Sequence, residues 1–170
     1  MKKLPTILCL VLLSSCSPPD GPYETFYENG QLQVRTNFID GVQVGLYETF
    51  YENGQLSERG TYIDGEFDGL FETFHENGRL SSRENWIDGE RDGLEENFGQ
   101  NGQLFRRSNY IDGLQDGLSE WFYSNGQLEQ RRNYTDGVLE GLVEFFDEDG
   151  NLIETKTYRN GVLVEENRNP

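Results

Sequence analysis

Carboxylates and aromatic side chains are the groups in this chain that could do chemistry. The 170 residues include 31 Asp and Glu, 14 Lys and Arg, and one histidine, His75. A single histidine excludes multi-histidine metal sites and triads that use histidine as the base. His75 occupies a repeat position where Tyr27, Tyr51 and Tyr123 stand in other units. We therefore interpret it as an aromatic substitution and not as a functional imidazole.

Three acidic segments resemble the first half of a calcium-binding loop, namely residues 64–69, 88–93 and 112–117. Such a loop needs a bidentate glutamate at its twelfth position, but the residues there are His75, Gly99 and Tyr123. Turn chemistry explains these aspartates better. We predict no metal site and no cofactor.

Two carboxylates that flank a cleft would suffice for glycoside hydrolysis. The most regular glutamates recur in every repeat of the sequence, which suits a structural ladder and not one unique site. An open array of strands also offers no obvious pocket that excludes water. We predict that the protein is not an enzyme and has no catalytic residues.

These side chains are carried by six repeats of 24 residues between Gly21 and Val164. Three series of glycines mark the units, at positions that need a positive φ or close approach. The first series is Asn29-Gly30, Asn53-Gly54, Asn77-Gly78, Asn101-Gly102, Asn125-Gly126 and Asp149-Gly150. The second is Asp40-Gly41, Asp64-Gly65, Asp88-Gly89, Asp112-Gly113, Asp136-Gly137 and Asn160-Gly161, and the third is Gly21, Gly45, Gly69, Gly93, Gly117 and Gly141. Such a chain is a repeat array in which each unit packs on its neighbours.

Aromatic and β-branched segments lie between the Asn-Gly and Asp-Gly dipeptides, which is the signature of β-hairpins. No segment shows helical spacing of apolar residues over three turns. The sequence therefore predicts an all-β fold, an elongated antiparallel β-hairpin repeat array of six 24-residue units. With about two strands per unit, the array would contain roughly twelve strands.

Two registers are possible for the hairpins around Asn-Gly. A two-residue loop at Asn53-Gly54 would place Glu48 opposite Arg59. A three-residue loop with a glycine bulge would instead place Phe50 opposite Leu56, which is the better apolar match. The first register is favoured because the same opposite charges recur in Glu24–Arg35, Glu72–Arg83, Glu96–Arg107 and Glu120–Arg131.

One face of the first strand in each unit carries aromatic side chains in either register, because alternate residues share a face. Such a face could anchor a protein partner or stack on sugar rings. It could equally serve packing within the sheet, since strands prefer aromatic residues. The candidate partner-contact residues are Tyr27, Tyr47, Tyr51, Phe71, Trp121 and Tyr123.

The N-terminus predicts export. Lys2 and Lys3 precede an apolar run over residues 4–13, which is too short to span a bilayer and has the shape of a signal peptide. Residues 13–16, Leu-Ser-Ser-Cys, resemble the lipobox of bacterial lipoproteins. This resemblance implies acyl chains on Cys16 and, with Ser17 after it, an outer-membrane location if the cell has two membranes. The alternative is an ordinary signal peptide with a chance cysteine.

The predicted organisation is a lipoprotein signal peptide (1–15), the lipidated cysteine with a short linker (16–20), six repeats (21–164) and a polar C-terminal cap or tail (165–170). Cleavage would leave 12 basic and 31 acidic residues, a formal charge of −19. A chain this acidic should be repelled by nucleic acids and anionic headgroups. We expect membrane association through the lipid and no binding of nucleic acid.

The segment YETFYENGQL from Tyr47 to Leu56, with the later Asp64-Gly65 and Asp68-Gly69-Leu70, resembles the bacterial MORN-repeat variant. That repeat is common in YwqK-type antitoxins, and the match covers nearly all of residues 21–164. The resemblance implies a MORN-like fold, and the antitoxin name implies neutralisation of a cytoplasmic toxin by binding. Eukaryotic relatives of the repeat are linked to membranes and scaffolding.

These observations predict a non-catalytic, membrane-anchored lipoprotein of the cell envelope that acts as a protein-interaction scaffold. Its partner would be another envelope protein. One alternative is a surface protein that binds carbohydrate or peptidoglycan. Another is an antitoxin-like protein that neutralises a toxin by binding it.

Overall fold

The computed structural model describes residue 18 and residues 20–168, and all regular secondary structure in this part of the chain is β-strand. The strands form a single open antiparallel sheet, which confirms the predicted all-β repeat array. The predicted signal peptide and Cys16 lie outside the described residues. The seventeen strands of the described region are β1 (Gly21–Phe26), β2 (Leu32–Ile39), β3 (Val42–Gln43), β4 (Gly45–Phe50), β5 (Leu56–Ile63), β6 (Glu66–Phe67), β7 (Gly69–Phe74), β8 (Leu80–Ile87), β9 (Glu90–Arg91), β10 (Gly93–Phe98), β11 (Leu104–Ile111), β12 (Leu114–Phe122), β13 (Leu128–Thr135), β14 (Val138–Leu139), β15 (Gly141–Phe146), β16 (Leu152–Arg159) and β17 (Val162–Arg168).

The sheet is a meander in which sequential strands are hydrogen-bonded neighbours. Each of the short strands β3, β6, β9 and β14 pairs with the same strand as the longer strand that follows it. Each such pair is therefore one strand with a one-residue interruption. Gly45, directly after the first interruption, has a φ of +73°, which side-chain-bearing residues rarely adopt. The third glycine series thus marks a bulge.

The C-terminal segment extends the sheet by one more strand than the roughly twelve that were predicted. Residues 162–168 form β17, in which Glu165 lies opposite Thr157 of β16. Every residue of β17 is exposed. The polar residues of the predicted cap or tail therefore lie largely in an exposed edge strand.

The two dipeptide series make two different turns. Asp64 and Gly65 form a two-residue loop between Ile63 and Glu66, with φ of +51° and +89°. Positive φ at both positions defines a type I′ turn, which matches the twist of the flanking strands. The Asp-Gly end of each unit is hereafter the Asp-Gly rim.

The Asn-Gly turns have the three-residue loop with a glycine bulge, so the favoured two-residue loop is wrong. Gly54 has a φ of +82°, its N–H donates to the Tyr51 carbonyl at 2.8 Å, and the Tyr51 N–H donates to the Gln55 carbonyl at 2.8 Å. Asn53 also assists, because its Oδ1 accepts the Gln55 N–H at 2.9 Å. Asn53 keeps an ordinary negative φ, unlike Asp64, and this end of the unit is the Asn-Gly rim.

A second irregularity reconciles the two registers. Phe50 lies opposite Leu56, as the three-residue loop requires, yet Glu48 lies opposite Arg59, as the charge pattern requires. One extra residue, Ser57, separates the two pairings in β5 and shifts the register by one. The same shift occurs in all six Asn-Gly hairpins.

Alternation along the strands gives the sheet two unlike faces. We call the side with Glu48, Arg59 and Phe50 the ladder face, and the side with Tyr47 and Tyr51 the tyrosine face. Among the described residues, eight of the nine buried ones that have side chains lie on the tyrosine face, and only Glu120 lies on the ladder face. Large aliphatic residues on the ladder face are mostly exposed. The tyrosine face therefore serves as the core of this single-layer sheet.

Candidate functional site

The charged ladder joins adjacent units more consistently than it closes hairpins. Each arginine lies between two glutamates, one in its own hairpin and one in the next unit. In the described part of the chain, only Glu24–Arg35 and Glu120–Arg131 among the five predicted hairpin pairs form ion pairs within 4 Å. All five arginines contact the next unit's glutamate, at 2.5–3.4 Å, as Arg35–Glu48, Arg59–Glu72, Arg83–Glu96, Arg107–Glu120 and Arg131–Glu144. The ladder is thus chiefly an inter-unit connection.

Tyrosine hydroxyls connect the units at the Asn-Gly rim. Each donates to a backbone carbonyl 23 residues later, as Tyr27 to Phe50, Tyr51 to Phe74 and Tyr123 to Phe146, over 2.6–2.8 Å. His75 takes the same role, since its Nε2 lies 2.8 Å from the Phe98 carbonyl and must donate to it. This contact agrees with the interpretation of His75 as an aromatic substitution.

Backbone and amide groups connect the units at both rims as well. The Asn53 Nδ2 donates to the Glu76 carbonyl at 3.0 Å on the Asn-Gly rim. On the Asp-Gly rim, the Gly65 N–H donates to the Gln43 carbonyl at 3.1 Å, and the equivalent glycines of later units repeat the bond. Hydrogen bonds therefore fix the spacing of successive turns.

The six predicted contact residues all lie on the tyrosine face, and all are half-buried. Tyr47 packs edge-on against Tyr62 and Phe67 at 5.5 and 5.8 Å between ring centroids, and Phe71 packs against Phe67 at 4.7 Å. Burial, with Glu58 nearby, raises the pKa of Tyr47 to about 12. The structure thus brings the aromatic residues of the second and third units together in one cluster.

Trp121 lies elsewhere on the tyrosine face, between two arginines. The guanidinium carbon of Arg132 is 4.6 Å from the ring centroid, and that of Arg106 is 5.5 Å away. Cation–π contacts of this kind are electrostatically favourable. Tyr123 is two residues further along and is already bonded to the sixth unit through its hydroxyl.

A groove lies on the tyrosine face near the Asn-Gly rim. Its volume is about 500 Å³, and its lining includes Tyr27, Tyr47, Tyr51 and His75 together with polar groups such as Glu58. Aromatic walls and hydrogen-bonding side chains are thus available together. Three of the six predicted contact residues meet in this groove.

A row of exposed aliphatic side chains follows the ladder face near the Asp-Gly rim. We call it the apolar stripe, and its members are 39–56% exposed: Ile39, Leu46, Ile63, Leu70, Ile87, Leu94, Ile111, Leu118 and Leu142. None of them belongs to the predicted contact set. The recurrence of leucine directly after the third-series glycine in five units was the signal that could have found them.

The stripe contains a defined hollow. Leu94 and Leu118 of adjacent units flank Asn109 of the strand between them, and the space has a volume of about 210 Å³. Arg107 and Glu120 form its side toward the charged ladder. The Asn109 Nδ2 donates to the Leu118 carbonyl at 3.2 Å, which holds the floor of the hollow in place.

Residue 18 and residues 20–168 lack two further features. No group of three or more His, Cys, Asp or Glu side chains is arranged to hold a metal ion there. No helix in that part of the chain is long and apolar enough to cross a membrane.

Tyr51→Phe tests the connection at the Asn-Gly rim. The variant loses the hydroxyl that bonds the Phe74 carbonyl, and we expect the free energy of unfolding to fall by about 0.5–1.5 kcal/mol. Urea denaturation measures the change. The matched control is His75→Tyr, which keeps a donor at the equivalent position and should cost nothing. Equal stability of Tyr51→Phe and the parent would contradict the role of the hydroxyl.

Glu84→Gln tests a half-buried carboxylate on the tyrosine face. Burial, with Glu95 nearby, raises the pKa of Glu84 above its ordinary value of 4.5. A raised folded-state pKa means that stability is lost as the pH rises from the unfolded value through the folded one. We therefore expect Glu84→Gln to melt at a higher temperature than the parent at pH 7. The difference should vanish below pH 4.5.

Melting temperatures from circular dichroism, recorded between pH 3 and pH 8, check this prediction. Glu76→Gln, at an exposed glutamate of the Asn-Gly rim, is the control and should show no comparable pH-dependent gain. A gain at Glu84 that is constant across the pH range would mean that the carboxylate charge is not its cause.

The fold and the inter-unit contacts define a class, that of single-layer β-repeat proteins in which neighbouring hairpins are connected by side-chain ladders. The family model described as "MORN repeat variant" matches six times, and together the matches cover more than half of the chain. This protein belongs to that family. The matched residues are 19–40, 43–64, 67–88, 91–112, 115–136 and 139–160.

Comparison with curated proteins finds no match. Among solved structures, this chain is similar to S. aureus TarM G117R in complex with Fondaparinux, alpha-GlcNAc-glycerol and UDP, with a TM-score of 0.34 and 13% identity over 71% of this chain and 21% of that chain. It is also similar to the GtfA/B complex bound to UDP and GlcNAc, with a TM-score of 0.27 and 12% identity over 84% of this chain and 25% of that chain. For a porin-like protein from Bacteroides uniformis, the TM-score is 0.24 and the identity is 8% over 86% of each chain. This chain thus spans about a quarter or less of the first two proteins, and all three TM-scores lie below 0.5.

Proposed function

We propose that this protein is a non-catalytic scaffold that is anchored to a membrane through lipid on Cys16 and binds a protein partner of the cell envelope with its repeat sheet. The observation that carries this proposal is the apolar stripe. Nine large aliphatic side chains are 39–56% exposed along one face. Extended exposed apolar surfaces commonly mark sites of protein association.

The anchor in this proposal is supported by the lipobox resemblance of residues 13–16. Acylation at Cys16 would leave only residues 17–20 between the lipid and β1, which begins at Gly21. Such a linker reaches roughly 13 Å at about 3.3 Å per residue. The repeats would therefore begin at the membrane surface, where other envelope proteins are close.

Mass spectrometry of the mature N-terminus, with chemical crosslinking in membrane fractions, tests the scaffold. We expect an acylated Cys16 and one recurrent crosslinked envelope protein. Cys16→Ala is the control for the anchor and should abolish the acyl mass. An unprocessed, soluble chain crosslinked to a cytoplasmic protein would contradict the scaffold and support an antitoxin-like function.

A second candidate function is binding of glycan or peptidoglycan, and the groove on the tyrosine face favours it. The groove combines Tyr27, Tyr47 and Tyr51 with polar side chains in about 500 Å³. Aromatic rings offer faces on which sugar rings stack, and polar groups fix their orientation.

Retention on insoluble cell-wall glycan tests the second function. Tyr47→Ala with Tyr51→Ala should abolish retention if the groove binds sugar. The matched control, Leu94→Thr with Leu118→Thr, changes the other face and should be retained like the parent. No retention of the parent, or full retention of the tyrosine variant, would remove this function.

A further inference from the structure

The apolar stripe has acidic surroundings that restrict what could cover it. Its outer border is the Asp-Gly rim, where the side chains of Asp40, Asp64, Asp88, Asp112 and Asp136 are all exposed. Its inner border is the charged ladder, in which each arginine already contacts a glutamate. The ladder arginines are 41–50% exposed, but each is paired with a glutamate. None of the ion pairs within 4 Å among the described residues involves the rim aspartates, so the unpaired charge that borders the stripe is negative.

The spacing of the stripe is regular. Successive leucines, such as Leu70 and Leu94, lie two strands apart, which corresponds to about 9.6 Å at ~4.8 Å per strand. Residues seven positions apart on an α-helix are about 10.5 Å apart along its axis. A helix that crosses the strands can therefore present one apolar residue per unit of the sheet. The hollow between Leu94 and Leu118, of about 210 Å³, would receive one such side chain.

We propose that the apolar stripe binds a cationic amphipathic helix of a partner protein. Apolar side chains of the helix, at seven-residue spacing, lie between the leucines of adjacent units. Its Lys and Arg residues lie against the aspartates of the Asp-Gly rim. This inference rests on the proposed scaffold function and names the partner's chemistry.

Other occupants fit the stripe less well. A second copy of this chain also carries 31 acidic and only 12 basic residues in the described region, so two copies would repel each other. Anionic lipid headgroups would meet the same row of aspartates. A basic helix satisfies the apolar and the charged surroundings together.

The test uses the full chain and a labelled 21-residue helical peptide with leucine at every seventh position and lysines beside each leucine. Fluorescence anisotropy at low salt should show saturable binding. A control peptide with glutamate in place of every lysine should not bind. Because Leu94→Thr with Leu118→Thr removes apolar side chains from the centre of the stripe, this double variant should weaken binding at least about tenfold. Phe26 is the control position, because it is an even more exposed apolar residue of the ladder face outside the stripe. The Phe26→Thr variant should bind like the parent.

The aspartates have a control within the chain. Asn160 occupies the same turn position in the sixth unit with a φ of +48°. This value lies within the range of the five aspartates, whose φ is +46° to +51°. Replacing all five by asparagine should therefore keep the turns and remove the charges. We expect weaker binding at low salt and a flatter salt dependence, because long-range attraction is what salt screens. Circular dichroism of the variant should match the parent.

Four outcomes would overturn the inference: no binding of the lysine peptide, equal binding of the glutamate peptide, full binding by the Leu94→Thr, Leu118→Thr variant, or parent dimers that this variant dissociates. Preferential binding of phosphatidylcholine vesicles through the stripe would also overturn it. The same leucine variant separates this inference from the scaffold proposal. If it still crosslinks the envelope partner in membranes, the scaffold stands and the helix site falls.

Discussion

Gly60→Val is expected to lower the free energy of unfolding by about 3 kcal/mol, at the upper end of the usual cost of overpacking. Gly60 is a buried strand residue on the tyrosine face with an ordinary φ. A Cβ there would lie 2.7 Å from Phe71 Cδ2 and 3.1 Å from Phe67 Cε1. Contacts under 3.0 Å force a neighbour to move, and valine adds two further methyl groups.

The neighbouring rings have little room to move. Phe67 packs at 4.2 Å from Tyr62 and 4.7 Å from Phe71 between ring centroids, and Trp86 lies 5.8 Å from Phe67. Glycine normally weakens a strand, so a glycine here indicates a close approach. The equivalent residue in the first unit is Thr36, which confirms that the position itself accepts a branched side chain.

Urea denaturation of Gly60→Val, with near-ultraviolet circular dichroism of the aromatic cluster, measures the effect. The matched control is Gly60→Val with Phe71→Val, which removes the ring that the new side chain would meet. Valine occupies the equivalent of Phe71 in the sixth unit, as Val143. The double variant should lose less stability than the two single losses together. A cost of Gly60→Val below about 0.5 kcal/mol would contradict tight packing at this site.

Glu120→Ala is expected to cost about 2 kcal/mol, because hydrogen bonds to charged groups contribute roughly 1.5–3 kcal/mol. The Glu120 side chain is only 5% exposed and contacts Arg107 Nε at 2.5 Å and Arg131 Nε at 3.2 Å. It joins the fourth unit to the fifth and also closes its own hairpin. Removal therefore breaks two contacts of the ladder at once.

Glu24→Ala is the matched control for the ladder. Glu24 lies in the first strand, and its side chain is 41% exposed. Within the described residues it forms one ion pair, with Arg35 at 3.0 Å. Exposed pairs of this kind contribute about 0–1 kcal/mol. Chemical denaturation should therefore rank Glu120→Ala well below Glu24→Ala in stability. Equal losses of stability in the two variants would mean that position in the ladder does not matter. Raised salt should reduce the loss in Glu24→Ala before the loss in Glu120→Ala, because salt screens exposed charges more strongly than buried ones.

The Asp-Gly turns could be predicted from the sequence because the conformation of a turn depends mainly on its own residues. Asp64-Gly65 favours positive φ at both positions, and the type I′ turn follows from that preference alone. The 24-residue period then predicts the strand order and the antiparallel sheet. It also predicts that Glu48 and Glu72 occupy equivalent positions in consecutive units. Periodicity carries this information because each unit meets the same surroundings as its neighbour.

The hairpin register at Asn-Gly could not be chosen from the sequence. The apolar pattern favours Phe50 opposite Leu56, the charge pattern favours Glu48 opposite Arg59, and both pairings are present. The extra residue at Ser57 makes them compatible. A bulge of this kind depends on the gain from both contacts together, so neither local pattern reveals it.

The sequence by itself determined the repeat, the strands and the positions of the turns. Only the tertiary structure decided which of two apolar rows is covered. Leu46 and Tyr47 are adjacent and apolar and point to opposite faces, so alternation alone ranks them equally. In the folded sheet, Tyr47 packs against rings of the neighbouring strands, whereas Leu46 remains 49% exposed. Burial depends on neighbours that are distant in the chain, and for that reason the apolar stripe became visible only in the assembled sheet.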